Sequence, residues 1–239
     1  MLTKNQIKLI RSLSIKKNRQ KFGLFTIEGD KLVNEVLKSD WQVDSIYATE
    51  EWIGKNAIII SKNDLSRISS LKTPNKVLAL VKIKKNFSNI SSDTVLALDS
   101  VKDPGNLGTI IRLADWFGVE DIICSDDCVD YLNPKVVQSS MGSFTRVNLH
   151  YTSLFDAFKK YSDYKLFISV LNGTPLKEMI NEKNIKSLKK IIVMGSESNG
   201  VSNDILALKS EKITIPKSSF SKAESLNVAA ATAIILSSF

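Results

Sequence analysis

The 239-residue chain is 43% hydrophobic and 24% charged, an ordinary composition for a soluble globular protein. No stretch approaches the roughly 18–20 apolar residues that a membrane span requires, and the N-terminus lacks the apolar core of a signal peptide. Cys124 and Cys128 are the only cysteines and His150 is the only histidine, which argues against a disulfide framework, a zinc site and a Ser-His triad. We therefore expect a cytoplasmic protein that does not enter a membrane.

The net charge of +8 is concentrated at the start of the chain. Residues 1–90 contain 17 Lys and Arg against 8 Asp and Glu, whereas the remaining residues contain 16 against 17. Such a cluster is the electrostatic footprint expected for binding a phosphate backbone, and a solvated helix face is the open alternative. The basic side chains of residues 1–21, where no acidic residue occurs, are Lys4, Lys8, Arg11, Lys16, Lys17, Arg19 and Lys21.

Residues 1–82 are predicted to form a small α/β unit. Apolar residues recur at helical spacing from Ile7 to Leu13, and a basic turn follows them. The segment 83–93 is polar, rich in Ser and Asn and without apolar periodicity, so we predict a linker there. Within the first unit, strands are predicted at 24–29, 43–48, 57–60 and 77–82, and helices from Asp30 and at 64–70.

Residues 94–239 are predicted to form a second domain in which strands and helices alternate. This alternation indicates a mostly parallel sheet with helices on both faces. The predicted strands are 94–98, 121–124, 166–170, 190–194 and 212–215, and the predicted helices are 107–117, 134–140, 154–161 and 226–237.

A Pro-Gly turn after the strand that ends at Asp99 leads into a helix carrying Asn106 and Arg112. Arg112 lies six residues after Asn106, nearly two turns on, so we expect the two residues to share a face of the helix. Gly105 and Gly108 do not form the G-x-G-x-x-G fingerprint, which leaves a nucleotide-dependent dehydrogenase poorly supported. Taken alone, the segment is also typical of a capped helix with a surface arginine.

Three later segments hold further polar candidates. Arg146 follows the predicted helix 134–140 and is placed to meet a phosphate, although this segment also suits simple packing. Glu197 lies in a glycine-flanked turn after the strand 190–194, where an isolated Glu is usually solvated. Ser225 and Asn227 begin the last helix, where both residue types are ordinary caps.

Together these segments resemble the SpoU/TrmH group of the SPOUT methyltransferases, which methylate the ribose 2′-hydroxyl of RNA. The resemblance covers residues 93–239 and rests on NLGTIIR at 106–112, MGSESNGVS at 194–202 and IP…ESLNVAAATAI at 215–234. The segment IEGDKLVNEVL at 27–37 is similar to the small α/β substrate-binding domain, related to kink-turn-binding ribosomal proteins, that often precedes this catalytic domain. One departure from the pattern is a longer loop at 217–220, with Ser221 where a glycine is common.

The resemblance implies an α/β domain whose C-terminal segment is threaded into a deep trefoil knot. It implies that S-adenosylmethionine binds in this knot, mainly through backbone groups. The positions that match the cofactor-binding residues of the family are Gly195, Ile215 and Leu226. It further implies a homodimer formed through the knot domain.

The same resemblance assigns the chemistry. It implies that Arg112 contacts the ribose or a phosphate, and we expect electrostatic activation of the hydroxyl because arginine stays protonated near neutral pH. Asn106 and Asn227 are expected to orient the ribose or the arginine. Glu197 is expected to fix the arginine and its own loop. The Ser225 hydroxyl is expected to donate or accept a hydrogen bond close to these residues. Ribosomal RNA is the favoured substrate; transfer RNA remains open, as does an RNA-binding knot protein without effective turnover.

Overall fold

The computed structural model describes residues 2–84, 89–181 and 185–239. The strands are β1 Leu24–Glu28, β2 Val43–Ala48, β3 Ile58–Ile59, β4 Val77–Lys82, β5 Thr94–Leu98, β6 Asp121–Cys124, β7 Asn148–Tyr151, β8 Lys165–Pro175, β9 Lys190–Met194 and β10 Glu211–Thr214. The helices are α1 Lys4–Ser12, α2 Lys16–Phe22, α3 Asp30–Leu37, α4 Lys62–Ile68, α5 Pro104–Trp116, α6 Pro134–Ser140, α7 Leu154–Lys160, α8 Leu176–Asn181, α9 Asn203–Leu206 and α10 Val228–Leu236. Short 3-10 turns lie at Ser143–Thr145 and Ile185–Ser187.

The first of two compact units combines residues 1–86 with residues 130–145. Its sheet has the order β1-β4-β2-β3, in which β1 and β2 each pair antiparallel with β4 and β3 pairs parallel with β2. Ile10 and Leu13 from the start of the chain are buried in one cluster with Leu65 of α4. The small α/β unit predicted for the N-terminal part of the chain is confirmed.

The second unit, residues 87–129 and 146–239, is built on a six-stranded sheet. The strand order is β10-β8-β9-β5-β6-β7, and each of these neighbouring pairs is parallel. β6 and β9 are buried along their whole length, which explains uninterrupted apolar runs such as residues 191–194. The predicted mostly parallel sheet is confirmed.

The edge strand pair β8 and β10 differs from the prediction. β8 extends to residue 175, beyond the predicted end at 170, because Thr174 and Pro175 form a second stretch of pairing with β10. The pairing register jumps from Lys212 opposite Ile168 to Ile213 opposite Thr174. A Cβ added to Gly173 would lie 2.7 Å from the carbonyl oxygen of Lys212, so only glycine permits this approach of the two strands.

Four shorter elements, α2, β7, α8 and α9, were not predicted. The basic segment after α1 forms the helix α2, which ends at Gly23 with φ of +65°. β7 and α9 were also missed, since each is short and carries few apolar residues.

The segment 130–145 belongs to the first unit although it lies in the second half of the sequence. Phe144 from this segment forms edge-to-face contacts with Phe25 and Trp41, with ring centroids 5.8 and 5.4 Å apart. The domain limits 1–82 and 94–239 stay predictions. They did not include residues 130–145 in the first unit. Residues 85–88 of the predicted linker lie outside the described residues.

The last helix returns to the middle of the second sheet. β10 lies at the edge and is separated from β5 by β8 and β9, yet α10 packs against α5, the helix that follows β5. The connection 215–227 therefore passes over the carboxyl ends of the intervening strands. Of the helices in the described part of the chain, none is long and apolar enough to span a membrane.

Candidate active site

Asp99 joins the carboxyl ends of β5 and β9. Its backbone N–H donates to the carbonyl oxygen of Met194, the last residue of β9, at 2.9 Å. Its side chain is buried, and Oδ2 accepts a 2.7 Å hydrogen bond from the backbone N–H of Ser202. Asp99 thus fixes both ends of the loop after β9. Sequence reasoning missed this role, and a carboxylate directly after a buried strand was the available signal.

The loop after β9 is a tight turn with no room for a side chain at its start. Ser196 and Gly200 exchange two backbone hydrogen bonds of 3.0 Å each. A Cβ added to Gly195 would lie 2.1 Å from the carbonyl carbon of Gly200, far inside van der Waals contact. Glu197 lies exposed in this turn. The backbone at Gly195 is therefore bare, which suits binding through backbone groups.

Three of the predicted polar residues form one hydrogen-bonded chain. Asn106 Nδ2 donates to the Glu197 carboxylate, and Asn227 Nδ2 donates to Asn106 Oδ1 at 2.9 Å. Asn227 Oδ1 accepts from the backbone N–H groups of Ala229 and Ala230, at 3.0 and 3.2 Å, as the N-cap of α10. Each amide is therefore held in one orientation. The fold brings three segments that are distant in sequence to a single place.

Arg112 projects from α5, the helix that begins with Asn106 in its first turn. Six residues correspond to a rotation of about 240° beyond one full turn, so the two side chains point about 120° apart. The prediction of one shared helix face was therefore wrong. Arg112 is exposed, and it forms no hydrogen bond or ion pair with the residues that the structure describes. Its guanidinium is available to a bound anion.

The predicted cofactor residues lie on the loops that follow β9 and β10. Ile215 directly follows β10 and is half-buried, whereas 50% of the Leu226 side chain is exposed immediately before Asn227. Ser225 is also exposed. Gly195 has no side chain and Leu226 is exposed, a combination that suits a ligand held by backbone hydrogen bonds and by apolar contact.

The loop after β5 is held by Cys128. Val101 donates its backbone N–H to Cys128 Sγ at 3.3 Å, and the Cys128 thiol lies 3.4 Å from the carbonyl oxygen of Leu98. A hydrogen bond from Cys124 lowers the pKa of Cys128 to about 7 despite its burial. Sequence reasoning used the cysteines only to exclude other chemistry and missed this supporting contact.

The single histidine is engaged elsewhere on the sheet. His150 Nε2 lies 2.9 Å from Oδ1 of Asp121, the first residue of β6. The hydrogen-bonded side chains of Glu197, Asn106 and Asn227, here called the amide chain, therefore consist of two amides and one carboxylate and include no imidazole. Within the described ranges, no three His, Cys, Asp or Glu side chains are grouped to hold a metal ion.

Comparison with known families agrees with this geometry. The model of the SpoU rRNA Methylase family matches residues 93–237, and that of the MRM3-like substrate binding domain matches residues 4–79. The chain belongs to the SpoU rRNA methylase family. The resemblance drawn from the three sequence blocks is confirmed.

This SpoU family member has relatives of similar length. It is 30% identical over 244 residues to the 23S rRNA (guanosine(2553)-2′-O)-methyltransferase RlmP of Bacillus subtilis, covering 98% of this chain and 95% of that protein. A solved protein of Porphyromonas gingivalis, assigned to the TrmH family of RNA methyltransferases, shares 33% identity with a TM-score of 0.86, over 100% and 98% of the chains. The AdoMet-bound rRNA methyltransferase of Sinorhizobium meliloti shares 26% identity with a TM-score of 0.84, over 100% and 95%.

The first unit of this SpoU family member carries the predicted basic surface, with one correction. Arg19 is buried: it pairs with Asp130 and donates from Nη1 to the carbonyl oxygens of Leu13 and Ser14, at 2.9 Å each. Its charge is therefore neutralised inside the unit, and the prediction that Arg19 binds RNA was wrong. The side chains that are exposed as predicted are Lys4, Lys8, Arg11, Lys16, Lys17 and Lys21.

Arg146 is placed differently from these lysines. Its guanidinium contacts both carboxylate oxygens of Asp115, with Nη2 at 2.8 Å from Oδ2 and Nε at 3.0 Å from Oδ1. The Arg146 side chain is still 48% exposed. A phosphate that bound Arg146 would have to share it with this carboxylate.

Proposed function

We propose that this protein methylates the ribose 2′-hydroxyl of ribosomal RNA with S-adenosylmethionine as methyl donor. The observation that carries the proposal is the hydrogen-bonded chain of Glu197, Asn106 and Asn227, with Arg112, which has no partner among the described residues, on the same helix as Asn106. Membership of the SpoU family and the 2′-O-methyltransferase activity for which the Bacillus subtilis relative is named support it.

S-adenosylmethionine, when bound, supplies an activated methyl group on a sulfonium. We propose that Gly195, Ile215 and Leu226 hold it, through backbone groups and the half-exposed Leu226 side chain. The connection 215–227, which crosses over the neighbouring strand ends, would be the part of the trefoil knot that encloses it. A site of this kind aligns the acceptor oxygen and excludes water, which is the main contribution a protein can make to a direct displacement.

The protein's own groups act on the acceptor hydroxyl. Arg112 stabilises negative charge that develops on the 2′-oxygen, because a guanidinium stays charged at neutral pH and is a poor base. Asn106, whose amide is fixed between Glu197 and Asn227, orients the ribose or the arginine. Ser225 lies two residues before Asn227 and offers a further hydroxyl to the ribose.

The partners follow from the two units. The exposed lysines of the first unit would bind the RNA backbone, with ribosomal RNA favoured over transfer RNA by the family match. A homodimer is supported by apolar surface on two helices that pack together, since Trp116 of α5 is 83% exposed and Ile234 of α10 is 41% exposed. We place the protein in the cytoplasm.

Labelled methyl transfer tests this function. Purified protein, labelled S-adenosylmethionine and an in-vitro transcript of ribosomal RNA should give 2′-O-methylated RNA. Arg112→Ala should reduce kcat by about 10²–10³-fold, the usual effect of removing one charge-stabilising donor, and should leave cofactor affinity unchanged. Arg112→Lys is the matched control, because it keeps the charge and loses only the planar fork.

Two outcomes would contradict the proposal. Full activity of Arg112→Ala would remove the arginine from the site. A wild-type protein that binds RNA but neither binds S-adenosylmethionine in calorimetry nor transfers methyl would be an RNA-binding protein without turnover.

A further inference from the structure

The connection between β10 and α10 is longer than its path requires. It must pass from the edge strand β10 over β8 and β9 to the neighbourhood of β5, where Asn227 bonds to Asn106. Three strand spacings amount to about 14 Å. The residues 215–226 could span about 40 Å if extended, so a large part of this connection is surplus to the crossing.

The surplus forms a closed, ordered loop, here called the 217–223 loop. Lys217 Nζ donates to the carbonyl oxygen of Ala223 at 2.6 Å and closes its base. Ser218 accepts the backbone N–H of Ser221 on its carbonyl oxygen at 3.0 Å and that of Phe220 on its hydroxyl at 3.3 Å. The loop therefore has a defined conformation, and Phe220 lies near its centre.

Phe220 presents its ring to solvent. The residue is 93% exposed, so the ring contributes almost no buried apolar area to the fold of this chain. Single exposed apolar side chains are common on protein surfaces and need no partner. The position of this ring, on the connection between Ile215 and Asn227, is what makes it a candidate contact for the substrate. In the sequence, Lys217 lies three residues before Phe220 and Lys222 two residues after it, with Glu224 as the one acidic residue of the connection. Both lysines favour a partner with negative charge.

We propose that Phe220 stacks on a base of the substrate RNA adjacent to the nucleotide whose ribose is methylated. The proposal rests on the proposed methyltransferase function, because it places the ring on a loop that begins beside the cofactor residue Ile215 and ends at Ser225 and Asn227. Every base offers a flat π face, and the charges of Lys217 and Lys222 on the same loop would attract the phosphates of the bound strand. The loop that departs from the family pattern at 217–220 is thus a substrate-recognition element.

RNA affinity of Phe220 variants tests the proposal. The probe is an in-vitro transcript of large-subunit ribosomal RNA, with Kd measured by filter binding at one fixed salt concentration. Phe220→Ala should weaken binding about 5- to 150-fold, the range for loss of one base-aromatic stack. Phe220→Tyr keeps the ring and should bind as the wild type does. Phe220→Leu keeps the apolar bulk without the π face and should behave as Phe220→Ala.

Two results would overturn the stacking role. Wild-type affinity in Phe220→Leu would show that apolar bulk alone suffices, and a changed sedimentation mass in Phe220→Ala would show that the ring contacts a second copy of the chain. Because the assay measures binding, it is independent of turnover. Loss of methyl transfer in Arg112→Ala together with unchanged affinity in Phe220→Ala would leave the proposed function intact and refute only the stacking.

Discussion

The orientation of the amide chain makes Asn227→Asp an informative substitution. Asn227 caps α10 through Oδ1 and donates to Asn106 through Nδ2, so the two atoms of its amide have separate roles. Aspartate caps a helix as well as asparagine does, but it cannot donate to Asn106. Asn106 would turn its own NH₂ group towards the new carboxylate. Its carbonyl oxygen would then face the Glu197 carboxylate, and the hydrogen bond to Glu197 would be lost.

The magnitudes of the two effects are separable. Asn227→Asp keeps a hydrogen bond between residues 106 and 227 but loses the one from Asn106 to the charged Glu197 carboxylate. A hydrogen bond to a charged group is worth about 1.5–3 kcal/mol, which predicts a fall in kcat of about 10- to 150-fold. Its free energy of unfolding should stay within about 1 kcal/mol of wild type, because the cap remains. Asn227→Ala loses only the bond to Asn106, so kcat should fall about two- to tenfold. It also loses the cap, at about 0.5–2 kcal/mol of stability.

The two variants should therefore be ranked in opposite orders by activity and by stability. Methyl transfer at saturating RNA and S-adenosylmethionine gives kcat, and urea denaturation gives the free energy of unfolding. If Asn227→Asp were as active as Asn227→Ala, the amide orientation would not matter for the reaction. If it were the less stable of the two, the capping role assigned to Oδ1 would be refuted.

Two further predictions concern the buried ion pair and the glycine turn. Arg19→Ala should lower the free energy of unfolding by about 3–5 kcal/mol in urea denaturation, because it leaves Asp130 without its buried partner. The exposed control Lys17→Ala should change this free energy by less than about 0.5 kcal/mol and should weaken RNA binding. An equal loss of stability in both variants would contradict the structural role of Arg19. Gly195→Ala should abolish calorimetric binding of S-adenosylmethionine, because the new methyl group would lie 2.1 Å from Gly200. Gly200→Ala, with φ of +66° and open space around it, should cost only about 1 kcal/mol of stability, so equal cofactor affinity in both glycine variants would refute the clash.

The sequence predicted the second sheet well because its strands are buried on both faces. Uninterrupted apolar runs such as residues 191–194 have few alternative interpretations in a chain where helices alternate with them. β7 was missed because residues 148–151 contain Asn148 and His150, which break the apolar run. β8 was predicted too short because Gly173 and Pro175 indicate a turn, and only the pairing with β10 shows that the strand continues.

The candidate site, like the second sheet, was predicted in part from the sequence. The three blocks located Asn106, Glu197 and Asn227, and the structure brings these residues together. No sequence pattern could show that their amides form one chain, since the partners are contributed by separate strand ends. Arg19 failed as a predicted RNA contact for a related reason. A count of charges does not distinguish a basic residue on the surface from one neutralised inside by a carboxylate from residue 130.

The location of residues 130–145 bears on how this protein folds as it is synthesised. Residues 1–86 leave the ribosome first, but the aromatic cluster of Phe25 and Trp41 is incomplete until Phe144 has been translated. At about 5–20 residues per second, the intervening stretch takes about 3–12 s to synthesise. During that interval the N-terminal segment is a nascent chain with an open core. Its final packing therefore waits for the ribosome to pass well into the coding region of the catalytic unit.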